Sequence, residues 1–91
     1  MNVARGPAPS VEISSILKTE LILSDARFAE VYEARVGNHY FAEEMSRGDP
    51  YIRATFLVMQ CVRIDEEQLS LSEILSLRGK DFHAMINAIN A

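Results

Sequence analysis

Few residues of this chain are of types that do chemistry, and their spacing decides what chemistry they could do. His39 and His83 fall in different helical stretches, and no HxxxH, CxxC or His/carboxylate spacing brings a metal set together locally. His39 reads as a first-turn surface residue and His83 as part of the polar side of the last helix. The single cysteine, Cys61, sits at an apolar position, where a thiol behaves as a small hydrophobe and not as a nucleophile. Asp65, Glu66 and Glu67 are consecutive, which makes a solvated loop and not an opposed acid/base pair. There is no Gly-rich phosphate loop. The residues therefore call for no cofactor and no metal, and they offer no catalytic motif.

One polar set stands out as a candidate for partner binding: Arg53, Gln60 and Arg63. They lie in a stretch whose other members are almost all apolar. On a helix Arg53 and Gln60 share nearly one line, and Arg63 lies about 60° away. Such a line either faces water or meets a partner, with Arg53 as the anchor. In the second case Arg53→Glu abolishes partner binding and leaves the helical circular dichroism intact.

The element that positions these groups is predicted over 50–64. Asp49 is a candidate N-cap and Pro50 suits the first helical position, where its missing N–H has no partner to lose. A helix apolar over most of its girth is buried on several sides, so this one is expected at the centre of a small domain. Before it, Lys18 to Arg35 reads as a β-hairpin turning at Ser24-Asp25-Ala26-Arg27. On the second strand Phe28, Glu30 and Tyr32 share one face, and Ala29 and Val31 the other. A lone hairpin is marginal in water, so it is expected to pack on helices. Asn38 is expected to cap a short helix from His39 to about Ser46. Gly48 is expected to end it, which makes Arg47-Gly48-Asp49 a helix–helix junction.

After the central helix, Asp65 to Gln68 reads as a polar connection. Ser70-Leu71-Ser72-Glu73 has the form of a capping box for a short helix. Phe82, Met85, Ile86 and Ile89 give a last helix, about Lys80 to Asn90, a single apolar face. Residues 1–10, with Gly6, Pro7 and Pro9, read as a disordered tail. Val11 to Leu17 fits neither an edge strand nor a helical turn cleanly. The expected fold class is α+β: an N-terminal β-hairpin on three to four helices, forming one domain over 11–91.

Composition limits the function classes. The 91 residues suffice for one small domain, and 48% of them are hydrophobic. The net charge is −4 and the nine Lys and Arg are scattered, which disfavours nucleic acid as a partner. No run approaches the roughly 20 apolar residues of a membrane span, so no membrane is expected as a partner. A single Cys suits a reducing cytoplasm.

The order of elements resembles that of the tail assembly chaperones of long-tailed bacteriophages and Mu-like prophages. The resemblance covers roughly Lys18 to Ile89. It is carried by Glu33-Ala34-Arg35 leading into a helix, the apolar helix Ala54 to Arg63, and an ending with Leu71, Ile74, Leu75, Leu77, Asp81, Phe82, Ile86 and Ile89. It implies a non-enzymatic protein of the bacterial host cytoplasm that coats the tape measure protein, recruits tail tube subunits and forms homo-oligomers. The alternative is a small DNA-binding or antitoxin-like regulator using a helix-turn-helix at Ser70 to Ile89. A subunit of another bacterial complex is a third.

Overall fold

A computed structural model describes residues 15–91. The expected tail, and 11–14 of the ambiguous stretch after it, lie outside the described residues. From Leu17 the chain is a strand. β1 (Leu17–Ile22) and β2 (Phe28–Tyr32) form the hairpin, α1 (Val36–Ser46) and α2 (Pro50–Cys61) follow, then β3 (Val62–Ile64), β4 (Glu67–Gln68), α3 (Leu71–Leu75) and α4 (Gly79–Asn90). The fold is α+β, as expected. All strand pairs are antiparallel and the sheet order is β1-β2-β3-β4, with the α1–α2 pair inserted between β2 and β3.

The hairpin turns without a glycine. The Leu23 N–H donates to the Arg27 carbonyl at 2.8 Å, and Asp25 Oδ1 accepts the Arg27 N–H at 3.1 Å. Ala26 takes the left-handed conformation, φ +72°, which a side chain adopts at some cost. The turn is then tied to α4 across the molecule. Asp81, buried in the first turn of α4, accepts the Ser24 N–H at 3.1 Å and the Ser24 hydroxyl at 2.7 Å. At the other end of β1, a register irregularity frees Lys18 to reach the C-terminus of α4. Its Nζ donates to the backbone oxygens of Ile89, at 3.0 Å, and Ala91, at 2.7 Å. A cation there also complements the partial negative charge of the helix end.

The junction between α1 and α2 forms as the sequence suggests. Arg47 and Gly48 both have positive φ and reverse the chain, and Asp49 Oδ1 accepts the N–H groups of Tyr51 and Ile52. The capping box of α3 is complete as well: the Ser70 hydroxyl accepts the Glu73 N–H and Glu73 accepts the Ser70 N–H.

Three local expectations are corrected. The central helix ends at Cys61, not at residue 64, and passes without a loop into β3. Val62 and Ile64 are β-branched and Arg63 stands between them, so the same residues satisfy a period of two. Pairing with β2, Val62 beside Val31 and Ile64 beside Ala29, decides between the two periods. The polar connection Asp65 to Gln68 is in fact a tight hairpin into β4, with both Asp65 and Glu66 at positive φ. Asn38 is not the N-cap of α1. The helix begins at Val36, and Asn38 is fully buried three residues inside, where its Oδ1 accepts the Arg35 N–H at 2.9 Å.

The core lies between the sheet and the helices. Ala29, Val31, Val62 and Ile64 from the sheet meet Leu57, Val58 and Cys61 of α2, Ile74 of α3, and Met85 and Ile89 of α4. No helix among the described residues is long and apolar enough to cross a membrane.

Candidate interaction surface

The structure separates the three residues of the expected polar line. Gln60 is only 5% exposed and presents nothing at the surface. Its Oε1 accepts from Asn38 Nδ2 at 2.8 Å, and its Nε2 donates to the carbonyls of Asn38, at 3.0 Å, and Phe56, at 3.1 Å. With the Arg35–Asn38 bond, this makes a closed polar bridge that fixes α1 on α2. Arg53 lies on the surface of the same helix pair, with Nε 3.5 Å from Glu43 Oε1. Both partners are well exposed, and an ion pair of that kind contributes little to stability. Arg63 is on β3, and its guanidinium carbon lies 4.6 Å from the centre of the Tyr32 ring.

Arg63 thereby marks a surface that the sequence did not single out. Residues directly opposite each other in a sheet share a face. The register pairs Leu17 with Tyr32, Glu20 with Glu30, and Ile22 with Phe28, then Glu30 with Arg63 and Arg63 with Gln68. Of these, Leu17, Glu20, Ile22, Phe28, Glu30, Tyr32 and Arg63 share the face away from the buried residues, while Gln68 Nε2 reaches back to the Met59 carbonyl of α2 at 3.3 Å. The intervening residues, Ala29, Val31, Val62 and Ile64, lie on the buried face. The outer face is rich in large apolar groups: Ile22 is 71% exposed, Phe28 60% and Leu17 49%. Between the apolar ends stands Glu20 opposite Glu30, a like-charged cross-strand pair, which is destabilising by itself. Arg63 is beside Glu30 but leans on Tyr32, and one Glu30 carboxylate oxygen, Oε1, is buried with no hydrogen-bond partner among the described residues.

Concavities lined by described residues lie elsewhere. A polar cleft of about 310 Å³ runs between the hairpin turn and α3–α4, lined by Ser24, Asp25, Arg27, Glu73, Arg78 and Asp81 among others. Its carboxylates are already engaged: Asp25 with Arg27, Glu73 with Ser70 and Asp81 with Ser24. The bond from the Ser70 backbone holds Glu73 below the usual carboxylate range, and the bond from the Arg27 backbone does the same for Asp25. An apolar groove of about 260 Å³ lies between α2 and α3–α4, lined by Tyr51, Thr55, Ile74, Leu75, Leu77, Gly79 and Phe82.

The other candidates occupy inert positions. Cys61 is fully buried, and burial pushes its thiol up to about 11, so it stays protonated near neutral pH. His39 is exposed, and His83 is exposed with Nδ1 2.9 Å from the Gly79 carbonyl of its own helix. No group of three or more His, Cys, Asp or Glu among the described residues is placed to hold a metal ion.

The signal for the outer face was present in the alternation of Phe28, Glu30 and Tyr32 against Ala29 and Val31. Reading the larger residues as the inner ones would have inverted the sheet. Ala29 and Val31 are buried in the core shared with the helices. No family model, no curated protein and no solved structure matches the chain.

Proposed function

We propose that the chain is a non-enzymatic assembly chaperone of a long-tailed phage or prophage, acting in the cytoplasm of the bacterial host. It binds the tape measure protein during tail assembly and helps recruit tail tube subunits. The observation that carries this reading is the outer face of the sheet, where Leu17, Ile22 and Phe28 stay exposed on a small acidic domain. An exposed apolar surface of this kind suits reversible cover for the apolar stripe of a long helical protein. The resemblance over Lys18 to Ile89 supplies the identity of that partner and the homo-oligomeric array in which the chain acts.

The test is co-expression with a tape measure protein encoded beside this chain's gene, measuring its soluble fraction and its co-purification with the chain. A larger soluble fraction and a stable complex are expected. Neither gain nor complex would sink the reading. DNA binding that weakens steeply with salt would instead support the regulator, whose last helix offers Lys80 and His83 as exposed basic groups.

A further inference from the structure

We propose that the outer face of the sheet docks an amphipathic helix carrying one central cation between two apolar residues. The inference deepens the chaperone reading and rests on it only for the identity of the partner.

Charge decides the centre of the site. Glu20 and Glu30 stand directly opposite each other, and neither forms an ion pair among the described residues. The cation paired with Glu30 in the register, Arg63, is held over Tyr32, and Glu30 Oε1 is buried without a donor among the described residues. A Lys or Arg arriving between the two carboxylates removes their repulsion. An acidic or purely apolar segment leaves that repulsion in place and desolvates the carboxylates further.

Spacing decides the ends. Ile22 with Phe28 forms one apolar end of the face, and Leu17, opposite the Tyr32 that Arg63 covers, forms the other. Phe28 and Tyr32 are separated by four strand residues, about 13 Å. Eight residues of helix rise about 12 Å. A helix lying along β2 therefore meets both ends with apolar residues at i and i+8. It places a cation at i+4 over the carboxylates, and all three positions fall within about 80° of its circumference.

The test uses the full chain, isotope-labelled for NMR, and two designed helical peptides of about 20 residues each, long enough to be helical. One is Ala- and Gln-based with Leu at i and i+8 and Arg at i+4. The other has Glu in place of the Arg. Shifts centred on Leu17, Glu20, Ile22, Phe28, Glu30 and Tyr32 are expected, with the Glu peptide binding about tenfold more weakly or worse. The Glu20→Lys/Glu30→Lys variant should reverse that preference. If it does not fold, the isosteric Glu20→Gln/Glu30→Gln variant should lose the preference for the Arg peptide.

Equal binding of the two peptides, or shifts centred on the Tyr51–Phe82 groove, overturns the proposal. A dimer that dissociates in the Phe28→Ser variant overturns it in favour of a second copy as the occupant. Altered resonances of the face on deleting 1–14, without peptide, overturn it in favour of the chain's own N-terminal segment. A tape measure complex that survives Glu20→Lys/Glu30→Lys overturns this docking surface and leaves the chaperone reading standing.

Discussion

The two faces of the sheet are built from the same strands and differ in what their residues accomplish. The inner face uses small and β-branched residues, Ala29, Val31, Val62 and Ile64, all buried against the helices. The outer face carries Leu17, Ile22 and Phe28 exposed, beside a Glu30 whose Oε1 has no hydrogen-bond partner among the described residues. Side-chain size does not separate the faces, since isoleucine stands on both, buried at Ile64 and exposed at Ile22. The inner face is fixed by packing against the helices. The outer face meets no such constraint among the described residues. The proposed binding role would account for both its apolar area and its unbalanced carboxylates.

The largest expected effect separates the faces with one residue type. Ile64→Ala removes buried methyl groups from the inner face and should cost about 3 kcal/mol. Ile22→Ala on the outer face should change stability by no more than about 0.5 kcal/mol. Urea unfolding of the two variants checks this, and equal losses would mean that the outer face is also core.

The next effect sharpens the contrast between buried and exposed polar pairs on α1 and α2. Gln60→Ala leaves the Asn38 amide buried without its partner and should cost about 2 kcal/mol. Arg53→Ala breaks only the exposed pair with Glu43 and should cost less than about 1 kcal/mol. The same unfolding measurement would contradict this ranking if the Arg53 variant were the weaker.

A smaller effect has the opposite sign. Glu66 holds a positive φ in the turn that joins β3 to β4, and glycine adopts that conformation freely. Glu66→Gly should stabilise the chain by about 1 kcal/mol. A lower melting temperature would show that the Glu66 side chain is needed there.

The smallest effect concerns pH. Hydrogen bonds to Ser70, the backbone one foremost, lower the Glu73 pKa in the folded chain, so its contribution is fully present above the ordinary value of 4.5. It is lost as pH falls from there through the folded value. The exposed site makes the change modest. The Glu73→Gln variant should lose part of the acid sensitivity of the urea midpoint. A variant whose midpoint follows the parent's at every pH would show that the capping carboxylate contributes nothing.

Local chemistry made much of the fold legible. Asp49 with Pro50, Ser70 with Glu73, and the spacing of Phe82, Met85 and Ile89 each identify an element through interactions within a few residues. The end of α2 was not legible, because Val62 to Ile64 satisfies both periods and only β2, far away in sequence, chooses between them. The role of Asn38 is hidden for a similar reason: it depends on Gln60 on another helix. The same limit hid the candidate surface. The carboxylates of Glu20 and Glu30 become a pair only through the hairpin register, and Arg63 joins their face only once β3 exists.

The most direct test of the central claim joins stability to binding in one variant. Ile22→Ser/Phe28→Ser replaces the two most exposed apolar residues of the outer face. Its melting temperature and its co-purification with a tape measure protein would be measured together. The account predicts a melting temperature within about 4 °C of the parent and loss of the complex. An intact complex, or a melting temperature lowered as far as that of Ile64→Ala, would contradict it.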